Sequence, residues 1–158
     1  MVRYETDIKK SDIAGLGLFA GEDIPKGSVI AIWCPDLDHG TLSLEEYLDK
    51  RLDNKSEHAF QMTCCRWLDN LFVYGDTVSE DGYINHSFDP SMLYYLGICF
   101  ARKEIKKGDE LTINFEYILT DNDPWAFVDS KTNKKVDGMP SEQYYRDASH
   151  ELWEIFCS

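Results

Sequence analysis

The chain reads as a mainly β domain with a few short helices, its strands gathered in small sheets. Three observations predict this. A twelve-residue pattern occurs twice: Phe19 to Ile30 is FAGEDIPKGSVI and Phe100 to Leu111 is FARKEIKKGDEL, with Phe, Ala, Ile, Lys and Gly at identical positions. Several further segments are short and rich in β-branched or aromatic residues: Val2 to Lys9, Ser28 to Trp33, Leu71 to Tyr74 and Leu96 to Ala101. Strong helical signals are confined to two places.

Each copy of the repeat reads as an apolar strand, a turn at Lys-Gly, then a second strand. Glycine at the turn permits positive φ at little steric cost. Two similar β-hairpins related by a pseudo-two-fold are expected, against a chance likeness of two hairpins. The first helix is signalled at Ser43-Leu44-Glu45-Glu46, a capping box in which Ser43 caps and Glu46 reaches back. Leu42 and Tyr47 can form the hydrophobic staple, and Leu44, Leu48 and Leu52 repeat on one face. This predicts a helical insert over about 41–56. The second helix is expected over Ser141 to Phe156, with Tyr145, Ala148, Leu152 and Phe156 as its packing stripe. Between them, the polar stretch from Leu119 to Pro140 suits one small hairpin turning near Thr132-Asn133. No linker is long or biased enough to mark a second domain. Residues 1–118 form the expected domain, and 119–158 a C-terminal extension of hairpin plus helix packing on it.

At 158 residues, with 43% hydrophobic and 13% aromatic residues, the chain is long enough for a real core. Its formal net charge of −13 and pI of about 4.6 serve solubility, or attract a basic partner such as a Lys/Arg-rich protein tail. No basic patch is visible, so direct nucleic-acid binding is disfavoured. Cys34, Cys64, Cys65, Cys99 and Cys157 are odd in number, irregularly spaced, and include no Cys-x-Cys or Cys-x-x-Cys pair. Neither a disulfide framework nor a metal site is expected; most are read as small core residues in a reducing compartment. The early apolar run Ile13 to Ala20 contains two glycines and follows mixed charges, unlike a secretory signal. No run approaches a membrane span. A cytoplasmic setting is expected, with a nuclear or secreted-effector one compatible.

Three motifs bear on chemistry. Gly15-Leu16-Gly17 precedes Leu18-Phe19-Ala20. Alone it is a turn; it lacks the third glycine and the helix of a dinucleotide fingerprint. Ile84-Asn85-His86-Ser87 reads either as a polar turn holding backbone groups or as a ligand site, since an amide side chain donates and accepts at once. The third is Gly108-Asp109-Glu110-Leu111-Thr112-Ile113-Asn114-Phe115.

Taken together and in this order, from about Ala14 to Tyr117, the three motifs resemble a SET domain, the fold of most protein-lysine methyltransferases. The small size and short private C-terminal extension are similar to those of stand-alone bacterial and viral members. The resemblance implies a β-clip fold of small sheets with a knot-like crossing at Asn85-His86, and S-adenosylmethionine as cofactor. It implies cofactor contacts from Gly15, Leu16, Gly17, Leu18, Tyr83, Asn85 and His86. It implies a basic protein substrate, histone-like, ribosomal or otherwise Lys-rich, and a monomer or homodimer. Ile113 aligns with the position that limits methyl number. The catalytic tyrosine position holds Phe115.

Methyl transfer to lysine needs an amine that has lost its proton, although its reference pKa is about 10.4. An apolar aromatic channel disfavours the ammonium. The nitrogen must lie in line with the methyl and its leaving group, and oxygen acceptors steer the methyl through weak C–H···O contacts. Phe115 keeps the ring and lacks the hydroxyl. Three readings follow: Tyr117, two residues on and on the same strand face, supplies a hydroxyl at the catalytic centre and substrate channel; turnover is slow; or the domain binds cofactor or a basic partner without catalysis. The arginine common just before the family's Asn-His motif is replaced by Gly82-Tyr83, and cysteine-rich flanking zinc segments are missing. Trp125 and Trp153 are candidates for the aromatic that closes the channel, each also readable as a packing residue. A hydrolase or thiol enzyme built on His86 or Cys64-Cys65 lacks a Gly-x-Ser-x-Gly elbow, and adjacent strand cysteines point apart.

Overall fold

The repeat organises the fold, but not as two closed hairpins. The computed structural model describes residues 1–33, 39–53 and 58–157. Cys34 and the last part of the expected helical insert lie outside the described residues. The elements run β1 (Thr6–Lys10), β2 (Leu16–Ala20), β3 (Val29–Ile32), β4 (His39–Ser43), α1 (Leu44–Leu52), α2 (His58–Thr63), β5 (Cys65–Leu68) and β6 (Leu71–Gly75). They continue with β7 (Asn85–His86), β8 (Met92–Tyr95), β9 (Ile98–Ala101), β10 (Thr112–Ile113), β11 (Phe127–Val128), β12 (Lys135–Val136) and α3 (Ser141–Cys157).

The strands flanking each Lys-Gly turn pair with the other copy of the repeat. Val29 pairs with Phe100 and, in mirror image, Phe19 bridges Glu110. Ile24 and Ile105 exchange both backbone hydrogen bonds, at 2.8 and 2.9 Å. The Ala20 N–H donates to Asp109 O as the Ala101 N–H donates to Ser28 O, both at 2.9 Å. The Gly108 N–H donates to Ala20 O (2.7 Å) as the Gly27 N–H does to Ala101 O (2.9 Å). Exchanging the copies maps each bond onto its mirror, which is the expected pseudo-two-fold. The hairpins fail to close because eight residues separate Ala20 from Val29, too many for a tight hairpin turn, and Pro25 brings no N–H to a ladder. Gly27 (φ +81°) and Gly108 (φ +93°) take the positive φ expected at the turns.

Small antiparallel sheets surround this knot of pairings: β1 with β2, β3-β9-β8, β4-β6-β5, and β11 with β12; β7 and β10 run parallel. The N-terminal strand is shorter than expected: only Thr6–Lys10 is a strand, with an isolated bridge at Val2. The main core gathers Leu18, Ile24, Ile30, Leu93, Tyr94, Ile105 and Leu111, all at most 1% exposed. Burial of this kind contributes roughly 25 cal/mol per Å² of apolar surface.

The capping box forms as read, with the Glu46 N–H donating to Ser43 Oγ (3.3 Å) and the Ser43 N–H to Glu46 Oε2 (2.8 Å). The buried face of α1 differs: Tyr47 and Arg51 face inward, while Leu52 is 66% exposed. These two, four residues apart on one helix face, meet an aromatic group in which Tyr47 stacks on Phe72 at 3.8 Å. In α3, Tyr144, Ala148 and Ile155 are buried and Phe156 is exposed, so the stripe is rotated by about one position. The β11–β12 turn falls where expected, with Asn133 at φ +57° and Asp129 Oδ2 accepting from Thr132 N–H at 2.8 Å. Among the described residues no helix is long and apolar enough to cross a membrane.

Candidate active site

The site is built where β7 lies parallel to β10, pairing Asn85 with Thr112 and His86 with Ile113. This is the contact at which the resemblance puts the knot-like crossing. It draws residues distant in sequence onto two neighbouring strands, and each side chain then has a defined task.

Asn85 Nδ2 faces three acceptors: Glu110 Oε1 (2.8 Å), Leu16 O (3.1 Å) and Ala14 O (3.3 Å). It thereby holds the Gly15-Leu16-Gly17 loop, where Gly15 adopts φ +48°. The Ser11 hydroxyl donates to the same Glu110 oxygen at 2.7 Å. A Cβ on Gly17 would run into the Glu110 carboxylate and sit 3.1 Å from Asn85 Nδ2. Glycine is needed there because polar side chains occupy the space.

His86 is 4% exposed. Its Nδ1 accepts the Phe115 backbone N–H at 3.1 Å, which leaves the proton of the neutral ring on Nε2. Nε2 is buried and has no partner among the described residues. Burial lowers the His86 pKa from its ordinary 6.5, with Asp129 opposing. Phe88, Phe115 and Phe127 present ring edges or faces to it at centroid distances of 4.6, 5.6 and 5.6 Å.

A cavity of about 340 Å³ opens beside these groups, within the size range of small-molecule sites. Leu16, Tyr83 and Asn85 line it, followed by Ile113, Phe115 and Phe127, then Arg51, Cys64 and Trp125. Of the residues read from the sequence, Leu16, Tyr83, Asn85, Ile113 and Phe115 therefore share one cavity. Gly15 and Gly17 shape the loop at its edge. Leu18 is fully buried, its carbonyl accepting from Leu111 N–H at 2.8 Å.

Tyr117 stands elsewhere. The expected strand ends at Ile113, and Phe115–Tyr117 is a 3₁₀ turn in which Asn114 Oδ1 accepts from Glu116 N–H at 3.1 Å. The turn removes the same-face relation between Phe115 and Tyr117. The Tyr117 hydroxyl donates to Glu151 and its ring lies 5.5 Å from that of Tyr144, on the α3 side. Trp125 lines the cavity; Trp153 is 62% exposed on α3. At Gly82 a Cβ would lie 3.0 Å from Val78 Cγ1 and 3.3 Å from Met62 O, so the missing arginine's place is already filled. Burial pushes the Cys65 thiol up to about 12 and the Cys64 thiol higher still, which holds both protonated and unreactive.

Sequence reasoning missed Phe127 and Arg51. Phe127 had a signal, a second aromatic two residues after Trp125 in a largely polar connection. Arg51 had none, because a lone basic residue in the last turn of a helix reads as a favourable end charge.

The SET-domain family profile matches residues 15–116, so the chain belongs to the SET-domain family. It is 29% identical over 128 residues to the variant-silencing SET domain-containing protein of Plasmodium falciparum (isolate 3D7). It is 28% identical over 131 residues to the H3 lysine-36 specific histone-lysine N-methyltransferase of Mycosarcoma maydis, and 27% over 129 residues to the histone-lysine N-methyltransferase trr of Drosophila melanogaster. These alignments take in 72%, 75% and 75% of this chain but only 5%, 13% and 5% of the relatives. Among solved structures, the polycomb repressive complex 2 of Chaetomium thermophilum aligns with a TM-score of 0.55 at 23% identity, over 84% of this chain and 16% of that one. An apo ctPRC2 structure with mutations in Ezh2 gives 0.56 at 19% identity, over 98% and 22%. These two likenesses bear on the fold alone.

Proposed function

We propose that the chain is a SET domain that transfers a methyl group from S-adenosylmethionine to a lysine of a basic protein. The observation that carries the reading is that Leu16 of the Gly15–Gly17 loop, Tyr83, Asn85 and Phe115 line a single cavity, with His86 holding the Phe115 backbone behind it. The residues fit the cofactor. His86 Nε2 is a buried donor without a partner among the described residues, and Leu16 and Tyr83 line the cavity beside Asn85. Gly15, Leu16 and Gly17, with Tyr83, Asn85 and His86, would hold the cofactor, which supplies a methyl group activated on a sulfonium.

The chain's own residues have separable roles. Asn85 fixes the loop through Ala14 and Leu16. His86 holds the Phe115 backbone and thus the start of the 3₁₀ turn. Ile113, Phe115 and Phe127 form an apolar wall that excludes water and disfavours a charged ammonium. The net charge of −13 favours a basic partner, histone-like, ribosomal or otherwise Lys-rich.

A second reading, a module that binds cofactor or a basic protein with little turnover, is favoured by one observation: Phe115 brings no hydroxyl to the cavity wall. Losing one preorganised polar group costs on the order of 10²–10³ in rate. Transfer of labelled methyl from S-adenosylmethionine to core histones and to a Lys-rich ribosomal protein separates the two. Incorporation into protein lysine supports the enzyme; none by either the wild type or Phe115→Tyr, with both folded, leaves the binding module.

A further inference from the structure

The cavity is also lined by a buried cation, Arg51, for which no anion is found among the described residues. Arg51 is 5% exposed, and its Nε and Nη1 have no hydrogen-bond partner among the described residues. Among the described residues Nη2 makes a long bond, to Cys64 O at 3.4 Å. The guanidinium lies 3.6 Å from the ring centre of Trp125, 4.9 Å from that of Tyr47 and 5.5 Å from that of Phe60. Aromatic faces offset part of the desolvation of a cation, but they do not accept the in-plane N–H groups. A buried charge left unpaired is costly.

The nearby acid does not serve it. Asp123 is 4% exposed and is engaged by the Tyr47 hydroxyl, Thr120 N–H (3.2 Å) and Trp125 N–H (2.9 Å). These bonds, with Trp125 Nε1 donating to Arg51 O at 3.0 Å, latch α1 to the segment before β11 and hold the arginine in place. The site is thus aromatic-walled and, among the described residues, one anion short.

We propose that Arg51 is the receptor for a carboxylate of the acceptor, an Asp or Glu side chain close in sequence to the lysine that enters the cavity. A carboxylate is the chemistry that satisfies several guanidinium N–H groups at once. In a chain of net charge −13, a buried cation on the cavity wall inverts the local preference and selects an acidic neighbour beside a basic target. The acceptor rather than the cofactor supplies it, because Arg51 touches Tyr47, Phe60, Cys64 and Trp125, whereas Asn85 touches Ala14, Leu16 and Glu110. The two residues share none of these neighbours. The inference deepens the proposed function and rests on it.

The test is a titration of ¹⁵N-labelled protein with N-acetylaspartate amide, following the Arg51 Nε–H resonance, assigned by its loss in Arg51→Lys. N-acetylasparagine amide is the neutral control, and S-adenosylmethionine is titrated separately. The expected result is a saturable shift with the carboxylate, none with the amide, and no competition by S-adenosylmethionine. No shift, or equal shifts with both probes, overturns the proposal. A shift produced by S-adenosylmethionine itself assigns the carboxylate to the cofactor and overturns it equally. Failure of S-adenosylmethionine to bind anywhere would sink the methyltransferase reading, and is read separately from the Arg51 signal. In a lysine-centred peptide library, fixing Asp or Glu at the preferred flank should tighten binding by about tenfold to a hundredfold over Ala. Arg51→Gln should abolish that preference; a preference it leaves intact contradicts the assignment.

Discussion

Replacing Gly17 with alanine puts a methyl where the Glu110 carboxylate lies. The carboxylate sits at the end of a flexible side chain and can swing away, so the cost is what it leaves behind. Those are the hydrogen bonds from Ser11 Oγ (2.7 Å) and Asn85 Nδ2 (2.8 Å). Bonds to a charged group are worth roughly 1.5–3 kcal/mol, but Glu110 is half-exposed, so about 1 kcal/mol each is appropriate. Gly17→Ala is therefore expected to cost about 2 kcal/mol, or roughly 4–8 °C in Tm for a domain of this size. Asn85→Ala loses the same Glu110 bond and its two loop contacts, again about 2 kcal/mol. Because one bond is common to both, the double variant should cost about 3 rather than about 4 kcal/mol. Urea unfolding of the four proteins measures the coupling. In a Glu110→Ala background, Gly17→Ala should add less than about 0.5 kcal/mol. Full additivity, or a Gly17→Ala protein that melts with the wild type, would refute the idea that one carboxylate ties the loop to Asn85.

Three further outcomes follow from the geometry. Phe115→Tyr adds a hydroxyl at the cavity wall and should raise methyl transfer by about 10²–10³, measured with labelled cofactor; an unchanged rate would place the deficit elsewhere. Tyr117→Phe removes only the bond to Glu151, which keeps Arg102 Nε at 2.9 Å; it should lower stability by about 1 kcal/mol and leave the transfer rate as it was, and a large loss of rate would return Tyr117 to the catalytic centre. The third concerns pH. The folded pKa of His86 is lowered, so between that value and the ordinary 6.5 the unfolded chain binds more protons than the native one. Stability therefore rises with pH across this window and is lost as pH falls through it. Urea midpoints taken downward from neutral pH should fall with a slope that His86→Gln flattens; an identical slope in the variant would show that another group titrates.

The capping box at Ser43, the positive-φ glycines and the Asn133 turn were legible because each is a local signal with one physical solution. The repeat was legible as a repeat, yet its pairing was not: sequence likeness does not say whether a strand closes on its own turn or on its twin, and the eight residues between Ala20 and Val29 decide that in favour of the twin. Tyr117 was misplaced because strand periodicity was extended past Ile113, whereas Asn114 caps a 3₁₀ turn and swings the next aromatic toward α3. The buried face of α1 escaped notice for a related reason. Leucine spacing suggested one stripe, and the aromatic pocket formed by Phe60, Phe72 and Trp125 drew in Tyr47 and Arg51 instead.

The central claim is that the Gly15–Gly17 loop, Asn85 and His86 form a working cofactor cradle. Calorimetric titration of the folded protein with S-adenosylmethionine tests it without any assumption about the substrate. The account predicts saturable one-site binding that Asn85→Ala weakens at a temperature where the variant is still folded. A wild-type protein that is folded and gives no binding heat, with no change in melting temperature at saturating cofactor, would contradict it.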